Sequence, residues 1–195
     1  MNKSLAGMVL SLGIIFGGQA FAADIYTVDP VHSSITFSVK HLTISTVNGN
    51  FKKFTGTVAF NEGDLVNSKA EAALDVSSIN TENDQRDGHL KSPDFFDAAK
   101  FPEIKFVSKL FTAIDGQYKL TGDLTMKGVT KEVSFPVSVN GPVKNPMGGE
   151  AIGLSGQLTI NRQDYGVSFN KILDNGGVMV GNDVTVTINL EAHKS

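Results

Sequence analysis

Eight segments of this sequence alternate apolar and polar residues with a period of two, the pattern of strands with one buried and one solvated face. The last segment is the clearest, because the apolar residues of 184–190 alternate with Thr185, Thr187 and Asn189. The other seven cover 35–39, 54–60, 70–76, 104–111, 118–126, 133–139 and 152–160, and a short ninth strand is possible at 25–28. The pattern predicts an all-β chain.

Short polar links join these segments, for example Asn61–Asp64, Asp115–Gly116 and Lys127–Gly128. Links of this length join antiparallel neighbours, in either a sandwich or a closed barrel. Eight strands is the number at which a barrel interior is either filled by side chains or holds one small ligand. We therefore predict a single domain over 23–195 that forms an eight-stranded antiparallel barrel.

Small residues on the predicted dry face bear on whether this interior is hollow. They are Gly56, Ala70, Ala72, Gly122 and Gly156. They leave room for a ligand unless neighbouring aromatic rings fill it, and the chain has 13 Phe residues. A ligand cavity and a solid core both remain open at this point.

The segment from Asn80 to Phe106 departs from the strand pattern. Thr81 is a suitable N-cap with Asp84 three residues on, and Ser92-Pro93 is a typical helix start. We expect one or two short helices here, between the third and fourth strands, that close one end of the barrel.

Residues 1–22 have the features of a cleaved signal peptide: Lys3, an apolar run and the small-x-small site Ala20-Phe21-Ala22. The remaining chain lacks another run long and apolar enough for stable membrane insertion. A formal net charge of −3 argues against nucleic acid as a partner. The absence of cysteine means that the core alone must stabilise an exported domain.

Catalytic and metal motifs are lacking. The neighbours His32 and Ser33 do not form a triad, and neither G-x-S-x-G nor a P-loop occurs. The four histidines lack metal-ligand spacing, so we predict no metal site. A hydrolytic site assembled in space is a third possibility, behind a ligand carrier and a solid barrel that acts through its surface.

Three motifs in order resemble the YceI-like family, exported bacterial proteins with a lipocalin-like barrel that bind polyisoprenoid lipids. Residues 29–37 (DPVHSSITF) resemble its opening strand, and residues 86–97 (RDGHLKSPDFFD), followed by Phe101-Pro102, resemble its characteristic segment. Residues 122–131 (GDLTMKGVTK) resemble its central hairpin. The resemblance implies an apolar tunnel for an isoprenoid quinone or polyprenyl phosphate, a periplasmic location, no catalytic residues and no required cofactor. Some members of the family are linked to stress responses.

The candidate binding residues fall into two groups. Inward parity and the resemblance select the tunnel wall and mouth: Phe37, Val39, His41, Phe54, Val58, Leu74, Phe106, Leu120 and Leu124. Arg86 and His89 are candidates for contact with a phosphate or quinone oxygen. The alternatives are an ordinary core for the first group and, for the second, ion pairs with nearby acids. The unpaired outer face also allows a homodimer.

Overall fold

The computed structural model describes residues 23–146, 148–172 and 177–195, so the predicted signal peptide lies outside the described residues. This part of the chain contains eleven strand segments, one α-helix and two short 3-10 turns, at Val76–Ser78 and Arg162–Tyr165. The strands and the helix are β1 (Asp24–Val28), β2 (Ser34–His41), β3 (Ser45–Phe51), β4 (Phe54–Phe60), β5 (Lys69–Asp75), β6 (Ile79–Asn80), α1 (Asp84–Lys91), β7 (Glu103–Ile114), β8 (Gln117–Met126), β9 (Val129–Lys144), β10 (Glu150–Asn161) and β11 (Val180–Lys194).

The strands close into an antiparallel barrel. Every neighbour from β4 through β5, β7, β8, β9 and β10 to β11 is paired, and β1 completes the ring by pairing with both β4 and β11. β1 pairs with the last residues of β11, and β2 pairs with the preceding part of the same edge, where Ile35 lies opposite Ile188. Since β1–β2 and β3–β4 each act as one interrupted strand, the eight-stranded barrel predicted from the sequence is confirmed.

One end of the barrel is solid. The ring centroid of Phe60 lies 5.4 Å from that of Tyr118 and 6.2 Å from that of Phe111, which is 1% exposed. At the rim, Nζ of Lys194 lies 2.8 Å from Asp24 and 3.4 Å from Glu150. Apolar packing and ion pairs therefore block this end.

The strand prediction missed β3 and did not foresee how it pairs. Its sequence, STVNGNF, lacks apolar alternation, and its partner β2 supplies the apolar contact instead. The ring of Phe37 lies over Gly49, where a side chain on β3 would otherwise stand. Strand pairing and a ring from the neighbour outweigh the weak β-propensity of these residues.

The helix prediction was right in its place and wrong in its details. The N-cap is Asn83, whose Oδ1 accepts a 2.9 Å hydrogen bond from the Arg86 amide, and not Thr81. Thr81 is instead buried and bonded to Asp87. The second helix expected at Ser92-Pro93 is a series of turns, in which the Ser92 carbonyl accepts from Phe95 and Asp97.

The ladder between β9 and β10 covers only part of these strands. The ladder between β9 and β10 covers Val137–Lys144 and Glu150–Gly156, and it stops one residue from Pro136. Proline has no N–H to donate, so it suits a position where pairing on one side ends. Beyond it, β9 stays paired with β8, and β10 stays paired with β11.

The small inward residues do not all leave space. A Cβ atom on Gly122 would lie 2.6 Å from Cζ of Phe106 and 2.5 Å from the Val107 carbonyl oxygen. A Cβ atom on Gly156 would lie 2.9 Å from Cγ2 of Val137. Neighbouring atoms thus occupy the space beside Gly122 and Gly156, so these two glycines do not enlarge the interior.

We predict that Gly122→Ala destabilises the protein by about 1–3 kcal/mol, because the new methyl group meets a carbonyl oxygen that cannot move without disturbing the ladder. The change in urea midpoint at constant slope measures this loss.

Gly88→Ala is the matched control, since nothing lies within 4 Å of a Cβ atom placed there in α1. It should stabilise the protein by about 0.5–1 kcal/mol. Equal effects of the two substitutions would contradict the packing argument.

Candidate ligand cavity

The barrel interior contains an apolar cavity of about 210 Å³. An engineered cavity of about 150 Å³ in another protein stays dry and binds benzene, so this volume suffices for an apolar guest. Every strand except β6 contributes to the wall, and β11 supplies five residues: Val180, Val184, Val186, Ile188 and Leu190. The same alternation that makes the strands amphipathic therefore lines the cavity.

Seven of the nine candidate wall residues lie on the cavity: Phe37, Val39, Val58, Leu74, Phe106, Leu120 and Leu124. Phe54 is buried in the adjoining core. His41 ends β2 at the rim, opposite Ser45 and Val180, and does not line the cavity. Arg86 and His89 lie on the segment that covers the open end, also away from the cavity wall.

Residues 84–101, here called the closing segment, cover the end of the barrel opposite the one filled by Phe60, Phe111 and Tyr118. Leu90, Phe95 and Phe96 point inward and line the cavity. The Phe96 ring meets the Phe51 ring of β3 edge to face, with centroids 6.5 Å apart. The closing segment therefore supplies apolar wall as well as cover.

A polar junction fastens the start of α1 to the barrel. The buried carboxylate of Asp87 accepts bonds from the Thr81 amide at 2.9 Å and from its hydroxyl at 2.5 Å. Arg86 donates to the Thr81 carbonyl at 2.6 Å and to its Oγ1 at 2.7 Å. The guanidinium thus binds Thr81, and it does not form the ion pair with a nearby acid that the sequence analysis gave as an alternative.

An aromatic cluster holds the far side of the closing segment. The ring of Phe169 lies 4.9 Å from Phe95 and 4.8 Å from His89, centroid to centroid. Nε2 of His89 also lies 3.0 Å from Oδ2 of Asp94. Lys127 adds a 3.1 Å hydrogen bond to the Pro93 carbonyl. Displacing the segment requires breaking this cluster, whose contacts are mostly apolar.

Arg162 is a buried cation that borders the cavity. It is 4% exposed, and its guanidinium donates to the carbonyls of Val167 at 2.6 Å, Gly181 at 2.8 Å and Val180 at 3.2 Å. Burial lowers the pKa of this guanidinium. These bonds tie the connection between β10 and β11 onto the barrel mouth.

Sequence reasoning did not select Arg162, Val167 or Phe169 for the site. They lie in 161–175, the stretch without clean alternation, so the periodicity carried no signal for them. Their inclusion comes from the fold, which brings this connection over the same opening as the closing segment.

A domain model described as YceI-like domain matches residues 26–192 of the sequence. The chain belongs to the YceI-like family. The match covers every barrel strand in whole or in part, the closing segment and the β10–β11 connection.

Relatives from several bacteria agree with this membership. UPF0312 protein SAB2563 of Staphylococcus aureus is 47% identical over 160 residues, which cover 82% of this chain and 91% of that protein. The YCEI protein of Campylobacter jejuni is 34% identical, with a TM-score of 0.67 over 80% of this chain and 90% of that one. BcnA of Burkholderia cenocepacia is 27% identical, with a TM-score of 0.73 over 84% of this chain and 98% of that one.

A more distant structure shares the fold. The polyisoprenoid binding domain of Saccharophagus degradans, implicated in plant cell wall breakdown, has a TM-score of 0.64 at 16% identity. The similarity covers 90% of this chain and 100% of that domain. Among the described residues of the present chain, no helix has the length and apolarity needed to cross a membrane.

We predict that Asp87→Ala loosens the closing segment, because the buried Thr81 amide and hydroxyl lose their acceptor. The expected loss of stability is about 1–3 kcal/mol. Hydrogen exchange of the amides in 84–96 should accelerate more than exchange in β7 and β8.

Asp84→Ala in the exposed first turn of α1 is the control, and it should leave exchange in β7, β8 and the turns at 92–96 unchanged. If Asp87→Ala accelerated exchange equally in all strands and in the closing segment, the junction would stabilise the whole fold and not the closing segment in particular.

Proposed function

We propose that this protein is a non-enzymatic periplasmic binding protein that carries or sequesters a polyisoprenoid lipid, with the apolar tail in the barrel cavity. The observation that carries the proposal is the enclosed apolar volume of about 210 Å³, closed by Leu90, Phe95 and Phe96 at one end. The fold shared with a polyisoprenoid binding domain supports the choice of lipid. The signal-like sequence at 1–22 supports export.

The wall chemistry favours recognition of the tail over the head group. Nearly all lining side chains are apolar, and the guanidinium of Arg162 is already engaged by three carbonyls. Each buried CH₂ contributes about 0.8 kcal/mol, whereas one head-group hydrogen bond contributes about 1 kcal/mol net. Chain length and shape should therefore determine affinity, and selectivity for the head group should be loose.

The cavity volume limits what fits without rearrangement. By proportion to benzene in about 150 Å³, the cavity holds roughly eight carbon atoms. These contribute roughly 6 kcal/mol before the cost of association, which is too little for tight binding. A longer isoprenoid must displace the closing segment or extend beyond the cavity. Tight binding is therefore coupled to movement at the end of the barrel that the closing segment covers.

The competing function is a barrel that acts through its outer surface, for example in a stress response. A solid interior would have favoured it, and the cavity favours a carrier instead.

Lipid analysis tests the proposed function directly. Gently purified protein, extracted with organic solvent and analysed by mass spectrometry, should release a lipid with an isoprene repeat in about equimolar amount. Protein that carries no lipid, and that does not bind added ubiquinone or farnesol, would refute the proposal.

A substitution that fills the cavity gives a second test. Leu124→Trp projects a larger side chain into the cavity, so it should reduce farnesol binding at least tenfold while the barrel still folds. Val107→Trp, on the outward face of β7 at 47% exposure, is the matched control and should bind farnesol like the unaltered protein. Equal binding by both variants would show that the lipid sits elsewhere.

A further inference from the structure

Side chains of the types that bind metal ions, from the two ends of the described chain, meet on the outside of the barrel. Nε2 of His193 lies 3.1 Å from Oε1 of Glu191 and 3.6 Å from Oδ2 of Asp29. All three donor atoms lie within 4.8 Å of one another. Nδ1 of His32 lies 2.7 Å from the same Asp29 oxygen. This outer cluster takes no part in the cavity or the closing segment.

The fold positions these donors through its backbone. Glu191 and His193 share one face of β11, whereas Leu190 lines the cavity and Ala192 is fully buried, so the two donors face outward. The Asp29 amide donates to the Glu191 carbonyl at 2.8 Å. The cluster is therefore built where the chain turns from β1 into β2, at the seam of the barrel.

The orientation of the Asp29 carboxylate follows from the same turn. Its Oδ1 accepts the Val31 amide at 2.8 Å, which leaves Oδ2 towards the two imidazoles. The Ser33 hydroxyl accepts the Glu191 amide at 2.9 Å and fixes the other side of the turn. The Asp29 carboxylate and the Glu191 backbone are thus held in place before any ligand arrives.

The spacing of the donors suits a small divalent cation. Zinc bonds of about 2.0–2.2 Å in a tetrahedron place donor atoms roughly 3.3–3.5 Å apart. The distances from His193 Nε2, 3.1 and 3.6 Å, lie on either side of this range. His32 is 63% exposed in its side chain, so its ring can rotate to offer a nitrogen as the fourth ligand.

The donor types point to a transition metal over calcium or magnesium. Imidazole nitrogens suit zinc, copper and nickel, whereas calcium and magnesium take oxygen ligands. Nδ1 of His193 lies 3.1 Å from Nδ2 of Asn145, and turning this amide over presents its oxygen to Nδ1–H, the hydrogen bond that fixes the ring of a ligating histidine. We propose that Asp29, Glu191 and His193, completed by His32, bind a divalent transition-metal ion of the zinc type.

Metal binding by purified, chelator-treated protein tests this site. Calorimetric titration with zinc chloride at neutral pH should show one saturable site per chain. His193→Ala and Glu191→Gln should each weaken it at least a hundredfold, more than the 10–100-fold seen for residues that only support ligands. Glu132→Gln, an outer-face acid paired with Lys109, is the control and should bind zinc normally.

Two further readouts separate a metal site from a set of ion pairs. Saturating zinc should raise the melting temperature of the unaltered protein but not of His193→Ala. Calcium chloride should give neither heat of binding nor a shift in melting temperature. No saturable zinc binding, equal affinity in His193→Ala, or tighter binding of calcium than zinc would each overturn the proposal.

Discussion

The pairing of β1 with β11 is the contact on which the rest of the structure depends. It joins the two ends of the described chain, with Val28 opposite Ala192, and it removes the last exposed edges of the sheet. An open sheet with the same alternation would expose its apolar face to water. Closure converts that face into the wall of an enclosed volume. The same seam brings Asp29 beside Glu191 and His193, so cavity and outer cluster share one structural origin.

The two ends of the barrel are built for different tasks. Phe60, Phe111 and Tyr118 fill one end with rings in mutual contact. The other end is covered by a short helix and turns, fastened by the Asp87–Thr81 junction and by the cluster around Phe169. A few hydrogen bonds and ring contacts hold far less tightly than a ladder of paired strands. The covered end is therefore expected to open at a lower cost in free energy than the strand wall.

Alternation was enough to predict the strands and most of the wall, because burial on one face imposes a period of two on each strand, and the count of eight strands favoured a barrel. It could not reveal β3, whose apolar contact comes from Phe37 on the neighbouring strand. Nor could it distinguish a hollow interior from a filled one, since Phe106 fills the space over Gly122 while Ala70 and Ala72 border the cavity. Arg162 and the outer cluster depend on contacts between residues far apart in sequence, which spacing along the chain does not record.

The end of the β9–β10 ladder at Pro136 has a consequence for how the barrel wall can deform. Val133 and Phe135 of β9, and Leu158 and Ile160 of β10, lie beyond the end of this ladder and belong to the cavity wall. Since the ladder does not reach these residues, side-chain packing holds the two stretches together, and separating them costs less than separating paired strands. This stretch is therefore the most deformable part of the strand wall, and any swelling of the interior would occur here before a ladder of main-chain hydrogen bonds gave way.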